Sequence, residues 1–135
     1  MSSVISLQTI VNFLLYFGTA LALEAAFVAL YMAVTPHHEG RLIRQGNTAA
    51  AISLGGAVVG FSLALASVLA QSVSLLDLAV WGAVALVVQL AVYWLVDFLL
   101  REISKHIDEG NVAAAVTLAS ASVAIGLLNA ASMTY

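Results

Sequence analysis

The sequence contains no cysteine, one proline and only four basic residues. Without cysteine there are no disulfides and no thiolate metal sites, and redox chemistry does not mark the compartment. So few Lys and Arg, with a net charge of −3, argue against nucleic acid as a partner. Charged residues make up 8% of the chain, against about 25% in a soluble domain. That is too few to build a solvated surface, so water is the wrong solvent for most of the molecule. Enzyme signatures are missing too. There is no nucleophile elbow, no phosphate loop and no His-Glu-x-x-His spacing. The reading is therefore not an enzyme, with no cofactor and no bound metal.

What is there is apolar. The chain is 63% hydrophobic over 135 residues. Four runs, at 10–34, 47–70, 75–99 and 111–133, each reach the roughly 20 residues that cross a bilayer. The first run has no basic residue before it and is too long for a signal-peptide core, so a retained helix is expected.

One stretch organises the rest. Gly46-Asn47-Thr48-Ala49-Ala50-Ala51-Ile52-Ser53-Leu54 returns as Gly110-Asn111-Val112-Ala113-Ala114-Ala115-Val116-Thr117-Leu118, 64 residues later. Self-similarity at a fixed offset marks a repeated structural unit. The predicted fold is an all-α membrane protein, one integral-membrane domain over 1–135. Its four transmembrane helices form two parallel two-helix repeats, at about 10–70 and 75–133. An even number of helices per unit gives both copies the same orientation, unlike the inverted repeats of many transporters.

Local signals place the ends. Pro36 stops the first helix, because the residue before a proline disfavours helix. Asn47 and Asn111 suit the N-caps of the second and fourth helices. Ser74, with Asp77 three residues on, suits a capping box on the third. Gly56 and Gly60 put two positions without side chains on one helix face and invite close packing. Their repeat equivalents are Ser120 and Ala124. Trp81 near one end of the third helix, and Tyr93 and Trp94 near the other, suit interfacial belts.

All four basic residues lie in two loops: Arg41 and Arg44 after the first helix, Arg101 and Lys105 after the third. The positive-inside rule then predicts both charged loops in the cytoplasm and both termini outside. The first loop also carries His37, His38 and Glu39. Imidazole and carboxylate suit zinc, but adjacent ligands in a loop are a weak pattern. A pH response is the better functional reading, and a solvated loop at the headgroup boundary is the plain one.

Within the spans, Glu24 is the sharpest candidate. A charge at mid-bilayer costs about 2.5–3.5 kcal/mol on insertion scales, and such residues mark ion or proton paths. The structural reading is a hydrogen bond to Gln89, Asn129 or a Ser/Thr across the bundle. Gln89 falls within one position of the repeat equivalent of Glu24, so the two could form a polar pair at one depth. Asn129, Ser120, Ser122 and Thr117 could line a polar seam. Four short helices bury little surface alone, so a homo-oligomer within the lipid bilayer is expected.

Five segments in order resemble the YjfL-like bacterial inner-membrane family: Thr35-Pro36-His37-His38-Glu39, Asn47-Thr48-Ala49-Ala50, Ala79-Val80-Trp81-Gly82, Leu86-Val87-Val88-Gln89-Leu90 and Asn129-Ala130-Ala131-Ser132-Met133-Thr134. The family is of unknown function. The resemblance implies a multi-pass inner-membrane protein of duplicated two-helix units and supplies no catalytic residue. Where the family often has cysteine in the closing segment, this chain has Ser132, so no redox role follows there. The resemblance also implies an envelope-stress protein as partner. Two functions fit. One is a small oligomeric ion channel or proton-linked conductance with Glu24 in or near the path. The other is a non-conducting anchor or sensor that recruits such a partner through its cytoplasmic loops.

Overall fold

Caps and a single breaker set the helix limits in the computed structural model, which describes residues 6–133. Helix α1 (Leu7–Val34) begins after Ser6, whose side chain accepts from the Thr9 N–H. It starts a turn earlier than the hydropathy pattern predicts and stops at Thr35, which is extended ahead of Pro36. Then follow α2 (Glu39–Arg44), α3 (Thr48–Gln71), α4 (Leu75–Leu100), α5 (Ile103–Asp108) and α6 (Val112–Ser132). Four of these, α1, α3, α4 and α6, are long and apolar enough to cross a membrane. Among the described residues all regular structure is helical, and the fold is an all-α membrane protein. The chain ends, expected on the periplasmic side, lie beyond the described residues.

The two charged segments are not loops. Each folds into a short connector helix, α2 or α5, and turns into the next span with the same backbone. Gly46 and Gly110 have φ of 84 and 82, a region open to glycine at little cost. Their N–H groups donate to the Ile43 and Ile107 carbonyls, both at 2.9 Å. The next N–H groups, of Asn47 and Asn111, donate to the Leu42 and His106 carbonyls at 2.8 and 2.9 Å. Each Asn side chain then caps the helix it opens, accepting from the Ala50 or Ala114 N–H. At the opposite end, Ser74 accepts from the Asp77 N–H while Asp77 accepts from the Val73 N–H.

Helices α3 and α6 form the centre and run parallel. Going along both, Gly56 meets Ala119, Gly60 meets Ser122 and Gly126, and Ser67 donates to the Ala130 carbonyl at 2.9 Å. Side chains added at Gly56, Gly60 or Gly126 would strike the facing helix. The offset between copies therefore does not assign the α6 face. Ser120 and Ala124 are exposed, on a shallow groove with Val123 and Leu127. The face that meets Gly56 and Gly60 is Ala119, Ser122 and Gly126 instead. Helix α4 packs on α1, α3 and α6, and α1 packs on α3 and α4. Leu23 of α1 sits over Gly82 of α4, and Phe27 of α1 stacks on Phe61 of α3 with centroids 4.6 Å apart.

Large apolar side chains cover the outside, among them Leu14, Phe17, Val87, Leu95 and Leu128. Such a surface suits lipid, where it costs nothing to expose. Most of the N-terminal half of α1 is exposed in this way.

Candidate functional site

The connector end gathers three of the polar side chains that the fold buries, Thr35, His37 and Glu39. Pro36 ends α1 and sends the chain back over its own last turn, and α2 then carries Glu39 underneath. Glu39 is fully buried and His37 nearly so. This corrects the reading of His37-His38-Glu39 as a solvated loop. His38 and Arg41 do face water.

Thr35 donates to Glu39 Oε2 at 2.7 Å and lies 3.1 Å from the Tyr31 carbonyl. A threonine hydroxyl has one proton and two lone pairs. With a proton on Glu39, the carboxyl donates to Thr35, and Thr35 donates on to Tyr31. His37 Nε2 lies 3.4 Å from Glu39 Oε2, and its Nδ1 is hydrogen-bonded to Ser104 of α5 at 2.6 Å. Ser104 also bonds the Tyr93 hydroxyl of α4. Tyr93 is buried against Tyr31, edge to face at 6.4 Å. It belongs to this cluster and not to an interfacial belt. Trp81 and Trp94 keep their outward positions.

Burial dominates the electrostatics. It pushes the Glu39 carboxyl above its ordinary range, against the opposing effect of the Thr35 hydrogen bond. It pushes the His37 imidazole below its ordinary range, with Asp108 of α5 pulling the other way. Both directions favour uncharged forms, the expected result for polar groups removed from water. Three buried atoms here have no hydrogen-bond partner among the described residues: Tyr31 Oη, His37 Nε2 and Glu39 Oε1. A pocket of about 470 Å³ opens beside His37, lined by His37, Arg41, Asp97, Lys105 and Asp108 among others.

The rim is strained. Arg101 and Glu102 have φ of 56 and 52, which costs about 1–3 kcal/mol for a residue with a side chain. Asp97 holds this turn. Its carbonyl accepts from the Arg101 N–H at 2.7 Å, and its carboxylate accepts from the Ile103 N–H at 3.1 Å. Arg44 lies exposed near the end of α2. Among the described residues, no three His, Cys, Asp or Glu side chains converge to hold a metal.

The spans hold the other polar candidates, and the structure keeps them apart. Glu24 accepts from Ser62 of α3 at 2.9 Å. Gln89 is buried and donates to the Ser122 carbonyl of α6 at 2.7 Å. Each bond joins the two helices of one copy, so Glu24 and Gln89 do not pair with each other. Asn129 is buried, with its Nδ2 unpartnered among the described residues.

Sequence reading missed Glu39 as a buried group, although a signal existed. At the 64-residue offset Glu39 corresponds to Ile103, which is fully buried. An acid stands where the other copy has an apolar anchor. Likewise, Tyr31 and Thr35 correspond to Leu95 and Leu99. The acid, Tyr31 and Thr35 come from the first half only, while Tyr93 and Ser104 come from the second.

A family model described as Domain of Unknown Function (DUF350) matches residues 5–133. Over 129 residues the chain is 36% identical to the UPF0719 inner membrane protein YjfL of Escherichia coli, covering 96% of this chain and 98% of that protein. It is 28% identical over 114 residues to the UPF0719 transmembrane protein YshE of Bacillus subtilis, covering 83% and 84%. No solved structure matches significantly.

Proposed function

Because the chain belongs to the DUF350 family, whose description carries no activity, we propose a function from its own geometry: a non-conducting sensor or anchor of the bacterial inner membrane. Its two connectors form one platform on the cytoplasmic side, and a soluble partner of the envelope-stress type docks there. The observation that carries this reading is Glu39, fully buried where the other copy buries Ile103. A buried acid costs stability that a buried isoleucine does not. The neighbour of Glu39, His37, 3.4 Å away, lines a pocket walled by both connectors. The basic residues of both connectors favour the cytoplasmic side, and the relatives' printed names favour the inner membrane. Arg41, Arg44, Arg101 and Lys105 supply the exposed charges a partner would read.

A second reading is an oligomeric conductance, favoured by the Glu24–Ser62 bond near the middle of α1. The α3–α6 contact closes the centre of the protomer, so a path would have to form between copies. The exposed half of α1 is the natural contact for such a homo-oligomer.

One comparison tests both readings. A deletion strain under envelope stress is complemented with wild type, Glu24→Gln, or Arg41→Ala with Lys105→Ala, and proton and ion flux is measured in liposomes. The platform reading expects no flux above empty liposomes, full complementation by Glu24→Gln and loss of complementation in the double variant. Flux that disappears in Glu24→Gln, with the double variant still complementing, would establish the conductance instead.

A further inference from the structure

We propose that His37 and Glu39 form a single-proton latch, which holds α2 against α5 only while the two side chains share one proton. This deepens the platform reading and rests on it for its purpose: the signal read by the platform is cytoplasmic pH.

The geometry supplies the parts. The latch bridges three elements: Thr35 at the end of α1, Glu39 on α2, and Ser104 on α5 through His37. With one proton the couple is neutral overall, as imidazole and carboxylic acid or as a close ion pair. Either form fits a site from which water is nearly excluded. With two protons, His37 is a buried cation beside an uncharged acid. With none, Glu39 is a buried carboxylate beside an uncharged imidazole. Each extreme leaves an uncompensated charge in a desolvated place, which favours exposure of the group to water.

The surrounding groups do not remove that imbalance. From α1 the facing group is the Tyr31 hydroxyl, and from α4 it is the Tyr93 hydroxyl, with Asp97 at the pocket wall. Asp97 is committed to the Ile103 N–H. From α5 and its cap, Asp108 acts on His37, and Glu102 and Lys105 line the pocket. On the connector itself, His38 opposes a charge on His37, and Arg41 and Arg44 line a second cleft beside Glu39. None of these charged side chains forms an ion pair with His37 or Glu39 among the described residues.

The sign follows for each partner alone. Burial lowers His37 in the closed form, so protons bind the open form more tightly, and closure is lost as pH falls below about 6.5. Burial raises Glu39 in the closed form. The open form then releases its proton first, and closure is lost as pH rises from the ordinary carboxylate range toward the raised value. The two single variants must therefore respond to pH in opposite directions.

The natural chain lacks cysteine, so nitroxide labels can be placed cleanly at His38→Cys on one connector and Glu109→Cys on the other. Pulsed electron–electron distance measurement on the full chain in lipid nanodiscs gives the closed fraction at each pH. Glu39→Gln is expected to open on acidification and His37→Gln on alkalinisation. The closed-to-open ratio should change by up to about tenfold per pH unit. Wild type should stay closed across a window between the two. Equal or absent pH responses in the two variants would overturn the latch. In the unlabelled wild type, the His37 ring should titrate by NMR below the ordinary imidazole range, and a titration within that range would also overturn the latch. No partner enters either measurement. If the latch works while the connector-charge variants still complement, only the platform reading fails.

Discussion

Gly60 of α3 and Gly126 of α6 meet backbone to backbone: a Cβ added to Gly126 would collide with the Gly60 carbonyl. Gly55, five residues earlier in α3, has nothing within 4 Å of the same construction. The pair Gly55→Ala and Gly56→Ala therefore separates packing from helix propensity. Gly55→Ala should be neutral or stabilising. Gly56→Ala and Gly60→Ala should each lose about 1–3 kcal/mol, the range for overpacking a tight contact. Reversible unfolding in mixed micelles measures both, and equal effects would show that α3 and α6 do not approach as described.

The two capping asparagines make a second contrast. Asn47 accepts from Ala50 and also donates to the Ile107 carbonyl at 3.1 Å, tying the first connector to the second. Asn111 makes the cap and lies more exposed. Replacing either by Ala should cost about 1 kcal/mol for the cap. Asn47→Ala should lose about a further 1 kcal/mol for the cross-connector bond. Amide exchange at α5 should rise in Asn47→Ala and not in Asn111→Ala.

Gly46 and Gly110 carry the same positive φ with open space around them. Alanine there meets no neighbour, so only backbone conformation is penalised, by about 1–2 kcal/mol. The two losses should agree within error. A large difference would mean that the two turns do different work.

Ser104 links His37 to Tyr93 across α5 and α4. Ser104→Ala leaves two buried partners short of a bond, at about 1–3 kcal/mol. Placed in Glu39→Gln, it should lower the closed fraction of the connectors at every pH while that variant still opens on acidification. Opening on alkalinisation instead would assign the titration to a group other than His37.

In the spans, Gln89→Leu removes the bond to the Ser122 carbonyl. Such interhelical bonds average about 0.6 kcal/mol in bilayers, so the loss in stability should be small. A loss above 2 kcal/mol would show that Gln89 also spaces α4 from Gly60, to which its amide is the nearest side chain.

Much of the architecture is legible in the sequence because it depends on local chemistry. Apolar run length gives the four spans, and Asn47, Ser74 and Asn111 mark their own helix starts. The α6 face is not legible by transferring Gly56 and Gly60 along the offset. Two parallel helices that pack off-centre present different registers to each other, so Ala119, Ser122 and Gly126 take the contact that Ser120 and Ala124 were expected to share. The buried cluster is hidden for another reason. Whether a six-residue connector lies in water or under a helix end is decided by tertiary packing. Only the comparison of Glu39 with Ile103 betrays it, because an acid aligned to a buried isoleucine has no local explanation.

The parallel α3–α6 contact has a consequence for concentration. A chain of half this length could build a similar centre only by finding a second molecule in the bilayer, and its folded fraction would rise and fall with its abundance. Joining both halves through the short segment between α3 and α4 makes the encounter internal, at an effective concentration set by the tether. The central pair thus forms equally well in a cell with few copies or many. Its two sides are also encoded separately, so one connector could acquire Glu39 while the other kept Ile103. A self-paired half would have had to carry the acid twice.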